Sequence, residues 1–459
     1  MSQNTASMWR RLRSHLPAGE LRFEDLILQR HAGDKWFAAH RPDAVALPRS
    51  TRSVVTILRH AHRHRLAVTA RGCGFGYVGG CVPAQGGLVL SLARMRRIKE
   101  IHATDYVAVV QPGVTTLKLK EAASRQGLFY PPDPASQADC SIGGNIATNA
   151  GGPCCLKYGV TREYVLGLQV VLAGGQAVRV GGRNHKDKTG FDLTRLFVGS
   201  EGLLGVVTEA TLKLLPSPPF RACLAGGFST LSRAATAIHR ILSAGFLPCA
   251  LEIADAFTLA AAARRTGSRK LRGCAAHLLV ELDGQERSVR SDLGLLEAVV
   301  RKEKPLFVQR GFGSAGVEAF WRLRREFSYA LRDTGLTKLN QDIVVPRSRL
   351  VDLFAFTSSL QRRHSLPIAC FGHAGDGNIH VNVMIDENDS ESRSRSDRLL
   401  DELFGTVLAW GGAITGEHGI GLARKPWWSQ AVSPEVDAMH RAIKSALDPK
   451  GLLNPGKFI

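Results

Sequence analysis

Arg71-Gly72-Cys73-Gly74-Phe75-Gly76-Tyr77-Val78-Gly79-Gly80 is the stretch from which the fold can be read. It follows a β-rich run, Leu66-Ala67-Val68-Thr69-Ala70. Its backbone is largely free of side chains, so successive N–H groups can close around a pyrophosphate. Gly74, Gly76 and Gly79 match the G-x-G-x-x-G spacing, but a Rossmann turn must open a helix, and Gly80-Cys81-Val82-Pro83 cannot continue as one. A second cluster repeats the chemistry, from Pro132-Asp133 and Ser136 through Ser141-Ile142-Gly143-Gly144-Asn145-Ile146-Ala147-Thr148-Asn149-Ala150-Gly151-Gly152. Gly202 and Gly205-Val206-Val207-Thr208-Glu209 add a third. Glycine permits close backbone approach, and Asn, Ser and Thr donate to phosphate, ribose or isoalloxazine edges. Three such loops separated by strands suit an extended dinucleotide.

Outward from these loops, the chain of 459 residues is longer than one hydrophobic core sustains, so more than one domain is expected. From residue 41 to about 218, β-rich runs at 66–70, 88–92, 106–110 and 166–172 alternate with turns and helical stretches. Pro216-Ser217-Pro218-Pro219 is a stiff, extended break at which a second domain, 219–440, should begin. That domain carries helix-like stretches near 229–245, 286–303 and 315–332 and strand candidates at 275–282 and 367–371, as helices packed on an antiparallel sheet would. The closing segment is 441–459, and residues 1–40 form an N-terminal helical segment. Arg10, Arg11 and Arg13 without acidic neighbours resemble a transit peptide, but Trp9, Leu12 and Leu16 are spaced like the buried stripe of a first helix.

Composition excludes several classes. No uncharged apolar run of about 18 residues occurs, and no secretory apolar region opens the chain, so a soluble protein is expected. Nine cysteines, an odd number without any Cys-x-x-Cys, argue against a zinc ribbon, an iron–sulfur cluster or a disulfide framework, and for a reducing compartment. The formal charge of +20 attracts anions in general. Its arginines are scattered outside any nucleic-acid module, so no nucleic-acid partner is expected.

A different chemistry lies near the C-terminus, in Cys370-Phe371-Gly372-His373-Ala374-Gly375-Asp376-Gly377-Asn378-Ile379-His380-Val381-Asn382-Val383. Asp-Gly favours the centre of a two-residue type I′ hairpin. That turn would set His373 opposite His380 on one sheet face, with β-carbons roughly 5 Å apart. Asn382 shares the face. Thr415-Gly416-Glu417-His418-Gly419-Ile420-Gly421 adds a carboxylate and a third imidazole. Two neutral nitrogens and one carboxylate suit Zn²⁺, Mn²⁺ or Fe²⁺ and leave positions for substrate oxygens.

Taken with Lys157-Tyr158-Gly159-Val160-Thr161-Arg162-Glu163-Tyr164-Val165 and Leu196-Phe197-Val198-Gly199-Ser200-Glu201-Gly202, the 132–152 run resembles the FAD-binding domain of the vanillyl-alcohol oxidase (PCMH-type) superfamily. It is similar to the branch of glycolate oxidase flavoprotein subunits, D-lactate dehydrogenases and D-2-hydroxyglutarate dehydrogenases. The resemblance implies an α+β fold: a two-subdomain FAD-binding domain, an α/β cap or substrate domain with an antiparallel sheet, and a C-terminal segment returning to the FAD domain. It implies that Arg71, Gly72, Cys73, Gly74, Phe75, Gly76, Gly79 and Gly80 cradle the pyrophosphate. Pro132, Asp133, Ser136, Gly143, Gly144, Asn145, Ala147, Asn149, Gly151, Gly152, Tyr158, Gly205, Val206, Val207, Glu417 and Asn454 would complete the FAD site. Where the branch usually has Thr and Ser, this chain has Phe75 and Gly76, so phosphate binding leans on backbone amides. Loop 71–80 has no His, and Cys140 does not align with the cysteine of doubly attached members, which implies dissociable FAD.

The resemblance further implies that His373, His380 and Glu417 are metal ligands and His418 the base. Arg324, in Trp321-Arg322-Leu323-Arg324-Arg325-Glu326-Phe327-Ser328, takes the substrate-carboxylate role, Ser328 a hydroxyl role and Asn382 a site role, with Arg322 and Arg325 adjacent alternatives to Arg324. Asn340 stands where relatives with a second substrate carboxylate carry Lys, Lys338 being two residues earlier, which favours D-lactate or glycolate. The expected reaction oxidises a small D-2-hydroxy acid to the 2-keto acid, with the proton to His418 and hydride to flavin N5. Electrons then pass to a separate acceptor: a quinone, a cytochrome, an electron-transfer flavoprotein or an iron–sulfur subunit. The expected location is cytoplasmic, with peripheral association at the inner membrane as an alternative. Two other readings stay open: an O₂-using alcohol or sugar oxidase on the same fold, and a flavoprotein subunit inactive without its partners.

Overall fold

A computed structural model describes residues 3–459. They divide into two compact units: the first runs to Gly151, resumes over Val160–Ser217 and closes with Glu417–Ile459, and the second is Gly152–Gly159 with Pro218–Gly416.

The first unit holds two main sheets. One has four strands in the order Leu21–Arg22, Ala44–Ala46, Leu88–Ser91, Val68–Arg71, the last three mutually parallel. Ala44, Val45, Ala46, Leu88, Val89 and Leu90 are wholly buried, as parallel strands covered on both faces must be. Helix Thr51–His64 is capped by the Ser50 hydroxyl, which accepts from the Ser53 N–H, and it ends where Arg65 turns left-handed at φ 52°. Its Val54, Ile57, Leu58 and Ala61 recur at helical spacing and enter one core with Trp9, Leu12, Leu16, Leu88 and Leu90, so the first helix buries the stripe read from its sequence. The other sheet is antiparallel, in the order Ile98–His102, Val107–Val110, Val206–Lys213, Val165–Val171, Ala177–Gly181. These are the two subdomains expected of an FAD-binding half.

The second unit is built on seven strands, all antiparallel, in the order Phe307–Phe312, Phe220–Phe228, Ala276–Gly284, Ala250–Asp255, Ile368–His373, Asn378–Ile385, Thr337–Val344. Helices Ala256–Thr266 and Gly313–Arg332 pack into its core through Leu259, Ala262, Phe327 and Leu331, against Ala254, Ala369, Phe371 and Met384 of the strands. Mixed helix and sheet, with the all-antiparallel sheet in the second unit, is the expected α+β class.

Two stretches fall differently from the expected division. Gly152–Gly159 groups with the second unit because Lys157 Nζ and Tyr158 Oη both donate to Asp283 there. The chain rejoins the first unit at Glu417 rather than at 441, because the N–H groups of Ile420 and Gly421 donate to the buried Glu201 carboxylate. Among the described residues no helix is long and apolar enough to cross a membrane.

Candidate functional site

In the first unit, loop 71–80 is shaped by contacts that exclude side chains. Arg71 ends a buried strand and turns its guanidinium beneath the loop, Nη1 donating to the Gly33 carbonyl at 2.6 Å and to Cys81 Sγ at 3.1 Å. A Cβ on Gly74 would lie 2.0 Å from Arg71 Nη2, and Gly74 has φ +73°. Gly72 approaches the second loop so closely that a Cβ would sit 2.5 Å from Ser141 Oγ. Trp36 closes on Gly79, Lys35 N–H donates to the Gly76 carbonyl, and Lys35 Nζ lies 4.7 Å from the Phe75 ring centre.

The second loop becomes a short helix, Ile142–Thr148, capped by Ser141 Oγ and ended by Asn149 at φ 53°. Several groups expected on the cofactor also tie the loop down. Asn145 Nδ2 donates to Thr116 Oγ1, Asn149 Oδ1 accepts from Arg162 N–H, Gly143 N–H donates to the Pro112 carbonyl and the Ala147 carbonyl accepts from Glu201 N–H. Pro132 is buried and Asp133 half-buried, and Ser136 offers its carbonyl to the Asp139 and Cys140 N–H groups. Gly151 and Gly152 are buried where the first unit's opening segment ends and the second unit's begins. Gly205 packs against Val170, and Val206 and Val207 pair with Val171 and Val170. Cys73 is half-buried, and burial raises its thiol pKa. Asn454 ties the loops together, donating to the carbonyls of Gly80 and Glu201, while its buried Oδ1 has no hydrogen-bond partner in the protein. A loop set without room for side chains, with an orphaned buried amide oxygen beside it, fits a dinucleotide bound through backbone groups. Tyr158, expected on the cofactor, belongs to the second unit, where its hydroxyl donates to Asp283 Oδ2 at 2.7 Å.

The second unit supplies the other constellation, with a corrected hairpin. Asn378 pairs with His373 and His380 with Phe371, so the loop is the four residues 374–377 and the register is offset by two from the expected one. A type I′ turn needs positive φ at both central positions, and of Asp376 and Gly377 only Gly377 has it, at +87°. Because side chains alternate with period 2, an offset of two keeps both histidines on one face. They meet diagonally, with ring centres 5.4 Å apart. His373 and His380 are both buried on this sheet, and Glu417, the carboxylate expected with them, opens the first unit's closing segment. Glu417 directly follows Gly416, whose N–H is held by the buried Asp342 carboxylate at 2.9 Å.

On helix Gly313–Arg332, Val317, Trp321, Arg324, Ser328 and Leu331 recur at spacings of three and four, which turns Arg324 inward and leaves Arg322 and Arg325 exposed. Arg324 Nε donates to Glu252 Oε2 at 2.6 Å, and its guanidinium lies 4.8 Å from the Phe371 ring centre. The other oxygen, Oε1, lies 2.5 Å from His373 Nδ1. Burial would raise the Glu252 carboxyl pKa, but His373 and Arg324 hold it down at about 2. A carboxylate inside the apolar run 249–254 is a sequence signal that motif reading passes over; Asp342, wholly buried among Ile343 and Val344, is another.

Ser328 Oγ accepts from Lys338 Nζ at 2.8 Å, and burial lowers that lysine's pKa to about 8. Asn382, expected in the site, has both amide hydrogens donating, to the carbonyls of Ala369 and His380, and its oxygen accepting from Asn340 Nδ2. It locks strands beside the histidines. In the first unit, the His418 ring lies 5.2 Å from that of Tyr77.

Comparison with known proteins agrees with both halves. Residues 217–458 match the family model "FAD linked oxidases, C-terminal domain", and residues 42–181 match "FAD binding domain". Glycolate oxidase subunit GlcD of Bacillus subtilis (strain 168) is 40% identical, over 91% of this chain and 89% of its own. A D-lactate dehydrogenase of Anaerostipes hadrus is 31% identical, over 91% and 90%. Among solved structures, p-cresol methylhydroxylase superposes with TM-score 0.81 at 18% identity, covering 100% of this chain and 97% of its own. For 4-ethylphenol oxidase from Gulosibacter chungangensis the TM-score is 0.79 at 20% identity, with coverage of 100% and 97%. These structures share the fold. The chain belongs to the FAD-linked oxidase family and is an FAD-dependent oxidoreductase.

Proposed function

We propose that the protein is an FAD-dependent dehydrogenase of small D-2-hydroxy acids, with D-lactate or glycolate as substrate and the 2-keto acid as product. The observation that carries the reading is the buried pair His373 and His380, with Arg324 joined to His373 through Glu252. Relatives named glycolate oxidase subunit and D-lactate dehydrogenase support the substrate class.

The donor types His373, His380 and Glu417 fit a divalent cation, Zn²⁺, Mn²⁺ or Fe²⁺: the two imidazoles share one sheet face, and His373 is backed by the Glu252 carboxylate on Nδ1. Bound metal supplies Lewis-acid polarisation of the alcohol, and FAD, held by the loops at 71–80, 132–152 and 205–207 with Asn454, supplies a two-electron acceptor. Arg324 binds the substrate carboxylate through its terminal nitrogens, since Nε is engaged with Glu252. His418 takes the hydroxyl proton, and the Cα hydrogen leaves with the electron pair. Ser328 and Lys338 border the arginine on its helix and the adjoining strand. Dissociable FAD is supported by the absence of His in 71–80 and by Cys140, buried against Thr116 Oγ1.

Electrons leave to a separate acceptor: a quinone, a cytochrome, an electron-transfer flavoprotein or an iron–sulfur subunit. The charge of +20 supports an acidic protein partner or an anionic membrane surface, the protein being cytoplasmic, with peripheral association at the inner membrane as the alternative. The test is anaerobic bleaching of bound flavin by D-lactate, glycolate and D-2-hydroxyglutarate, with metal analysis of the same sample. Bleaching by D-lactate or glycolate with stoichiometric metal is expected. Rapid O₂ turnover of metal-free enzyme would point instead to an alcohol or sugar oxidase. A second reading, a flavoprotein active only with partner chains, is favoured by the word subunit in the Bacillus relative's name. It predicts bleaching only when those chains are added.

A further inference from the structure

We infer that Glu252 is a positioning residue that sets, with one carboxylate, both the tautomer of a metal-ligand histidine and the aim of the substrate-binding arginine; this rests on the reading proposed above. Glu252 lies in strand Ala250–Asp255, between Ala276–Gly284 and Ile368–His373, directly across from His373. Its neighbours Cys249, Ala250, Leu251, Ile253 and Ala254 are all buried, and Glu252 itself is 1% exposed. An ionised carboxylate in such surroundings is costly unless both oxygens find donors. Here they do: Oε1 takes His373 Nδ1 at 2.5 Å, and Oε2 takes Arg324 Nε at 2.6 Å.

A carboxylate can only accept, so the His373 proton sits on Nδ1, and in the neutral ring Nε2 carries the lone pair that a metal would take. The guanidinium is constrained in the same way. With Nε on Glu252 and the plane against Phe371 and Phe327, at 4.8 and 5.6 Å from their ring centres, its orientation is set before any substrate arrives. Its terminal nitrogens remain as the fork that can meet a carboxylate. Gln at 252 could accept from one partner but would turn an N–H₂ toward the other donor. Asp, one methylene shorter, could not reach both.

The experiment compares Glu252→Gln, Glu252→Asp, Arg324→Gln and His373→Ala holoenzymes with wild type. Zn²⁺ affinity is read by competition with a chromogenic chelator, and KM and kcat are taken with D-lactate or glycolate. Glu252→Gln is expected to weaken Zn²⁺ by about 10- to 100-fold. It should also raise KM by about tenfold, more than it lowers kcat, because the lost interaction orients a binding group. Glu252→Asp, which keeps the charge, should recover at most one of the two. Arg324→Gln should raise KM with Zn²⁺ affinity within about twofold of wild type.

Glu252→Gln values within twofold of wild type for both Zn²⁺ and KM overturn the inference, and a loss confined to one of them leaves an ordinary ion pair and overturns the shared role. Zn²⁺ bound as tightly by His373→Ala as by wild type would instead overturn the metal-site reading itself. Should Glu252→Gln not fold, ¹⁵N-histidine spectra of wild-type Zn²⁺ holoenzyme decide, with His373 assigned by its loss in His373→Ala. Protonated Nδ1 is expected, and protonated Nε2 overturns the inference.

Discussion

The two units make their candidate ligand surfaces by opposite means. Around loop 71–80 the first unit uses close approach: Gly72, Gly74 and Gly79 leave no room for a Cβ against Ser141, Arg71 and Trp36. The second unit uses buried charge: Glu252 and Asp342 lie in the strands and hold Arg324, His373 and the Thr415-Gly416 corner through their oxygens. The first surface is therefore vulnerable to added bulk and the second to a removed charge. His418, beside Tyr77 in the first unit, differs from both in offering side-chain chemistry of its own on a glycine-flanked segment.

That side chain gives the largest expected effect. His418→Ala should slow flavin reduction by the hydroxy acid about 10³-fold, the usual scale for losing a general base, with FAD content unchanged. Stopped-flow bleaching checks it, and a rate within tenfold of wild type would remove His418 from the proton-transfer role. Next comes Arg324→Met, which leaves the buried Glu252 with one partner where it had two. Stability should fall by about 3–5 kcal/mol, read from urea unfolding of the holoenzyme. In the first unit, Gly74→Ala forces a side chain into φ +73° and toward Arg71. A cost of about 1–3 kcal/mol is expected, seen as weaker FAD binding on titration of apoenzyme. If Gly74→Ala proved harmless while Arg324→Met was severe, backbone crowding would not be what shapes the dinucleotide loops.

What was legible in the sequence follows the same division. Glycine loops are local, and so is the helical spacing that turns Arg324 inward, so both could be read from short stretches. The His373 and His380 pairing survived an incorrect turn because parity, rather than register, decides the face a strand side chain takes. The loop itself was misread because Asp-Gly is only a preference; here Gly377 alone takes positive φ, and its backbone packs against Val345, where a Cβ would lie 2.1 Å from the Val345 carbonyl oxygen. Glu252 was not legible because its partners lie 121 and 72 residues away and meet it only through sheet order. Asn145, Asn149 and Asn382 show the converse limit. Each amide makes bonds within the protein, to Thr116 Oγ1, Arg162 N–H and the Ala369 carbonyl, and those partners depend on neighbours that spacing does not name.

Half-buried Lys338 tests whether charge drawn into the second unit always has an opposite charge beside it. Its Nζ donates to the neutral Ser328 hydroxyl rather than to a carboxylate, and burial lowers its pKa from 10.5 to about 8, with Arg332 adding to the effect. Between those two values the unfolded chain binds more protons than the folded one, so this group makes stability rise with pH. Its cost is fully present below pH 8 and vanishes above 10.5. Lys338→Met should therefore stabilise the protein at pH 7 by about 1–2 kcal/mol after the lost bond to Ser328 is subtracted, the smallest effect in the series. The advantage over wild type should shrink as urea unfolding is repeated from pH 8 toward 10.5. A variant less stable than wild type at pH 7 would mean that the Ser328 bond outweighs the burial of the charge, and that the second unit tolerates a cation without an opposite charge at no net cost.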